Sequence, residues 1–219
     1  MKSLTKQLSF SLLLISFVTL AFTACKKSDD PAPTYTNNPS GGNNRYFRAT
    51  IGTQNINYTE NNSTTFGDRG AGGITENQDT WLVYSGSLYN PFQGIKNSAF
   101  LQIGNVHLTG GAAKPSDADF NSFLSIGSKN YTGTTDEKTF DGVMILWFDE
   151  NGDQWSSIGD QTGSTFTVTQ GTRYAATATS NAKTYLDATF SCKLYNGSET
   201  KTVTNGTLYL MFENMEKLN

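Results

Sequence analysis

Asp149, Asn151 and Asp153 alternate along the run Asp149-Glu150-Asn151-Gly152-Asp153. They present oxygen ligands at the spacing with which a calcium loop begins, and Asp160 falls where its twelfth position would be. The sixth position, where such a loop turns sharply on a glycine, is Gln154, and the usual bidentate glutamate is an aspartate. A plainer reading accounts for the same residues. Val143–Phe148 and Gln154–Ile158 form strands, and Asn-Gly between them makes a hairpin turn. The hairpin is the expected outcome and calcium the competing one.

Other routes to chemistry lack partners. His107 is the single histidine, and nucleophilic hydrolysis needs a histidine beside a serine or cysteine. No Gly-x-Ser-x-Gly elbow occurs, and Cys192 lies in an alternating strand pattern that points it inward. Zinc sites draw on several His or Cys, beyond what two cysteines and one histidine supply. Gly70-Ala71-Gly72-Gly73 precedes no helical pattern and so reads as neither a phosphate loop nor a dinucleotide fingerprint. Asp68, Asp136, Glu137, Asp141, Asp149 and Glu150 are carboxylates that glycoside hydrolysis would need in pairs. All read as residues in or beside turns, where acidic side chains serve turn geometry and solvation. No catalytic set and no cofactor is expected.

Aromatic residues are the remaining candidates for a binding surface. Trp147 falls in the all-apolar run Val143–Phe148 and reads as core, whereas Trp81 and Trp155 open strands after turns and are candidates for exposure. Tyr185 and Tyr195 point outward from one alternating strand, with Tyr209 on its neighbour, and together would form a stripe. Core packing and cross-strand pairing are the default roles for such residues, and ligand contact is the alternative.

The start of the chain sets its destination. Lys2 and Lys6 precede a short apolar run, Leu8–Thr23, which closes on Phe22-Thr23-Ala24-Cys25. That order reads as a secretory leader (residues 1–24) ending in a lipobox, with Cys25 as the thiol that is acylated, palmitate among its fatty chains, and as the new N-terminus. The apolar run is shorter than the ~20 residues of a membrane span. Attachment through lipid is therefore expected, not a helical crossing. Cys25-Lys26-Lys27-Ser28-Asp29-Asp30 resembles the start of surface lipoproteins of the Bacteroidota type, in which a short acidic tract follows the lipidated cysteine. The resemblance implies attachment to the outer membrane, facing the cell surface. Asp149–Phe166 and Phe190–Phe212 are similar to parts of small all-β domains of such lipoproteins, and this likeness brings no catalytic residues with it.

Composition narrows the partners. Loss of Lys2 and Lys6 from the 16 basic residues leaves 14 against 19 acidic, a formal charge of −5. Nucleic acid needs clustered Lys and Arg, so it is not an expected partner. Cys192 has no second thiol once Cys25 is acylated, and stability must come from a core without a disulfide.

Residues 25–44 form a Pro-, Gly-, Ser- and Asn-rich tether without apolar periodicity. From 45 to 219 the chain is rich in Thr, Tyr, Phe and Val, with Gly, Asn or Asp about every ten residues. This spacing predicts one all-β domain, an antiparallel β-sandwich of the jelly-roll or Ig-like kind. Leu186, Ala188, Phe190, Cys192 and Leu194 alternate with polar neighbours, and Asn196-Gly197-Ser198 turns the chain into a partner strand over Thr202–Phe212. Phe47, Ala49 and Ile51 alternate likewise, whereas Val143–Phe148 suits a strand covered on both faces. Ser116 as N-cap, Asp117 and Asp119 in the first turn, and Phe120, Phe123 and Leu124 predict one short helix near 116–126.

The sequence thus leads to a lipid-anchored, non-catalytic module that binds a glycan or a partner protein. The alternative is a fimbria-like subunit matured by cleavage near Arg45 or Arg48, which would free a sheet edge for a donor strand.

Overall fold

A computed structural model describes residues 44–61, 64–112 and 114–215. The leader, Cys25 and the tether before Asn44 lie outside the described residues. Within them eleven strands and one short helix are joined by turns and loops, and every strand pairing is antiparallel. Its elements are β1 (Tyr46–Ile51), β2 (Gln54–Thr59), β3 (Phe66–Glu76), β4 (Asp79–Tyr89), β5 (Ser98–Leu108), α1 (Asp117–Phe123), β6 (Gly127–Ser128), β7 (Gly142–Phe148), β8 (Gln154–Ser156), β9 (Thr165–Tyr174), β10 (Lys183–Asn196) and β11 (Glu199–Glu213).

Hydrogen bonding runs through the order β2-β1-β11-β10-β8-β7-β5-β4-β3. β10 is long enough to share one edge between two neighbours. β9 pairs with its first two thirds and β8 meets it at Tyr195, while β6 adds to β9. The path curls until β11 lies against β3 and β4, where Gly86 admits the backbone of Met211 and the ring of Phe212. The result is an all-β, sandwich-like fold with the core between its layers.

Period-two patterning accounts for that core. Phe47, Ala49 and Ile51 of β1, Leu186 to Leu194 of β10 and Leu208, Leu210 and Phe212 of β11 all face inward. From the other layer they meet Leu82, Tyr84 and Leu88, then Leu101 and Ile103, and Val143, Ile145 and Trp147. β7 is covered on both faces as its composition predicts, because Met144 joins Val83 and Phe140 in a small second cluster outside the layer. Gly197 and Ser198 connect β10 to β11 in a two-residue turn with Gly197 at φ +59°, a conformation that costs glycine little.

α1 is shorter than 116–126 but begins as expected. Ser116 Oγ accepts the N–H of Asp119 at 3.2 Å, and Phe120 is fully buried. Gly70-Ala71-Gly72-Gly73 is part of β3, paired residue by residue with Ser85 to Leu82.

Candidate binding face

β1, β11, β10 and β9 lie side by side, and their inward residues fill the core, so the intervening residues form an outer face. On it four tyrosines step across four strands. Tyr46 of β1 stands directly opposite Tyr209 of β11, with ring centroids 6.1 Å apart and planes 27° apart. Tyr209 stacks on Tyr185 of β10 at 5.5 Å and 23°, and Tyr185 meets the ring of Tyr174 on β9 edge-on at 5.7 Å. The row is diagonal because Tyr209 pairs with Asp187, two residues from Tyr185, and Tyr174 pairs with Lys183, two residues further. Tyr174 is 44% exposed and the other three are half-buried.

Polar groups complete the row. Asp187 is hydrogen-bonded to Tyr46, and the Arg48 guanidinium lies 4.5 Å from the centre of the Tyr46 ring. Arg48 Nε also donates to Asn57 Oδ1 at 3.1 Å. Burial pushes the Tyr209 hydroxyl up to about 12, with Tyr185 and Asp187 nearby adding to the effect. Burial likewise raises Tyr46 and Tyr185. At neutral pH Tyr46, Tyr185 and Tyr209 are therefore protonated phenols, able both to donate and to accept hydrogen bonds.

The structure brings together two of the expected tyrosines and separates the third. Tyr185 and Tyr209 touch, but Tyr195 lies ten residues further along β10, at the other end of the strand. There its ring packs on Gly159 and its hydroxyl donates to the Asp160 carbonyl at 2.6 Å. Tyr46 and Tyr174 were missed. Tyr46 was legible as the outward neighbour of Phe47, whereas the position of Tyr174 depends on which strand β9 joins, and periodicity does not specify that.

The tryptophans divide differently from expectation. Trp155 is core and not exposed. It is 3% accessible, packs on Trp147, donates from Nε1 to Asp149 Oδ2 at 3.2 Å, and has Lys201 Nζ 3.8 Å from its ring centre. β8 pairs with β7 on one side and touches β10 on the other, and its middle residue, Trp155, faces inward. Trp81 is half-buried on the outer side of β4. It stacks on His107 at 4.7 Å and 4°, with Lys138 Nζ 5.2 Å from its ring centre. His107 Nε2 lies 3.4 Å from Asp79 Oδ2, so the single histidine belongs to a surface cluster.

Asp149, Asn151 and Asp153 lie in the loop of the β7–β8 hairpin. Asp149 Oδ1 accepts the N–H groups of Asn151 at 2.9 Å and of Asp153 at 3.0 Å. The connection is a five-residue loop closed by this side chain, with Gly152 at φ +89°, and not a two-residue Asn-Gly turn. Among the described residues no three His, Cys, Asp or Glu side chains gather as a metal site. Of the candidate carboxylates, Asp68 is not beside a turn but within β3, bonded to the Arg69 N–H at 2.8 Å.

Cys192 is buried in β10, and burial pushes its thiol up to about 12. Arg45 is also buried, paired with Glu60 through two guanidinium contacts. β1 is not an edge strand, since β2 and β11 pair with its two sides. Among the described residues no helix is long and apolar enough to cross a membrane.

No protein-family model matches the chain, and comparison with the curated proteins and with the solved structures returns no match.

Proposed function

We propose that the protein is a lipid-anchored surface module of the cell envelope that binds a glycan or a partner protein without catalysis, through the outer face of β1, β11, β10 and β9. The observation that carries this reading is the row Tyr46–Tyr209–Tyr185–Tyr174, which gathers aromatic surface and neutral hydroxyls on one sheet face. Aromatic rings offer large contact area at small entropic cost, and their hydroxyls give direction. Anchoring is supported by the leader and lipobox at Cys25.

The fimbria-like alternative has less support. Cleavage near Arg45 or Arg48 would have to act on a buried, ion-paired arginine or on a strand paired along both edges.

Mass spectrometry of native protein tests the anchor. An acylated N-terminal Cys25 is expected, and a start at Tyr46 or Ala49 would favour the fimbrial reading. Tyr185→Ala/Tyr209→Ala, with an unchanged melting transition, is expected to abolish ligand capture on glycan arrays or in envelope pull-downs. Unaltered capture by the folded variant would refute the assignment of this face.

A further inference from the structure

We infer that the tyrosine face takes an extended, uncharged, β-linked polysaccharide chain laid across the strands, a proposal that rests on the binding-module reading above. Three features point to this class among possible ligands.

The first is shape. The row crosses four adjacent strands of one sheet in steps of 6.1, 5.5 and 5.7 Å. Each step is close to the length of one pyranose unit in an extended β-linked chain. A linear glycan running across the strands would therefore meet a ring or a hydroxyl at each successive sugar. An enclosed pocket would favour a single sugar instead, and this face is open.

The second is charge. Threonines lie among the tyrosines, exposed at Thr169 and Thr189 and half-buried at Thr167 and Thr207. The charges at the row are mixed in sign: Arg48 and Asp187 contact Tyr46, Arg45, Glu60 and Arg69 lie near Tyr185, and Lys183 stands opposite Tyr174. Arg45 is paired with Glu60 and Arg69 with Glu213, so the face gathers no single-sign cluster of the kind that recognition of a polyanionic glycan or a charged peptide draws on. It matches a ligand made of hydroxyls.

The third is chemistry. Phenol, threonine hydroxyl and carboxylate groups supply both donors and acceptors, as vicinal sugar hydroxyls require, while the rings cover the apolar C–H faces of the sugars. Asp187 stands beside both Tyr209 and Tyr46 and so provides an acceptor at the middle of the row.

The test titrates the full chain with β-1,4-linked glucose, xylose and mannose oligosaccharides from disaccharide to hexasaccharide, with α-1,4-linked glucose hexasaccharide as control. Affinity for at least one β-linked series is expected to rise tenfold or more with length. Tyr209→Ala and Tyr174→Ala are each expected to weaken hexasaccharide binding about tenfold with folding retained, whereas Tyr209→Phe keeps most of it. A hexasaccharide bound no tighter than its disaccharide overturns the inference, as does an equal preference for the α-linked control. If no saccharide binds but Tyr185→Ala/Tyr209→Ala abolishes capture of an envelope protein, the polysaccharide fails and the module reading stands. If neither saccharide nor protein binding depends on these tyrosines, both fail.

Discussion

Asp149 and Trp155 are joined across the β7–β8 hairpin by a hydrogen bond of 3.2 Å from the indole Nε1 to Oδ2, while Oδ1 of the same carboxylate holds the turn. One acidic side chain thus fixes both the loop and the inward setting of a large core residue. Asp149→Ala removes an acceptor from three donors at a buried position and is expected to cost about 3 kcal/mol in denaturant unfolding. Asp149→Asn keeps one oxygen for the turn and should cost less. A loss below about 0.5 kcal/mol for the alanine variant would show that the loop holds itself.

The same residue contributes to acid sensitivity. Burial raises the Asp149 carboxyl, but the N–H groups of Asp153, Trp155 and Asn151, with Lys201 nearby, outweigh it and hold the carboxyl below its usual range. A carboxyl depressed in the folded state stabilises fully above its unfolded value, about 3.9. That contribution is lost as pH falls through the lower folded value. Melting scans from pH 7 to 2 are expected to show a smaller acid-induced loss below about pH 4 for Asp149→Asn than for the wild type. Parallel curves would disprove the coupling.

Arg45 and Glu60 form an ion pair in which the guanidinium is buried and the carboxylate half-buried. Glu60→Ala leaves the guanidinium without its counter-charge and is expected to destabilise by about 3 kcal/mol. Arg45→Met/Glu60→Leu removes both charges and should recover most of that loss. Chemical denaturation of the three proteins measures it, and additive losses in the double variant would contradict the pairing.

Gly206 lies beneath the Phe190 ring. A Cβ built there would sit 2.5 Å from Phe190 Cε2 and 2.6 Å from its carbonyl oxygen. Gly206→Ala is expected to lose about 2 kcal/mol through overpacking of the β10–β11 pair. Gly163→Ala probes a glycine in open space, so its loss would reflect only the positive φ of +82°. Comparison of the two midpoints separates the contributions.

Cys192 should be inert while the protein is folded, because its thiol is buried and raised to about 12. In Cys25→Ser, where it is the sole thiol, alkylation at pH 8 is expected to proceed at the rate of unfolding and to accelerate in urea. Fast labelling in buffer would place the thiol at the surface.

Much of the fold was legible because it rests on local rules. Alternation in β1, β10 and β11 assigned their inward residues, Asn196-Gly197-Ser198 marked the hairpin, and Ser116 marked the start of α1. The candidate face was only half legible. Outward tyrosines follow from the same alternation, but their neighbours depend on register across strands that are distant in sequence. Tyr195 shares a strand face with Tyr185 yet belongs to another part of the surface, and Trp155 faces the core because β8 lies between β7 and β10.

By itself, the order of residues determined the strand-rich class and which side of each strand is apolar. These depend on side-chain type at spacings of one or two residues, where covalent geometry alone sets direction. Only the tertiary structure decided that β1 and β9 flank the β10–β11 pair, and hence that Tyr46 and Tyr174 extend the Tyr185–Tyr209 stack. The choice of strand neighbours is made by packing the whole core at once, and no local pattern encodes it.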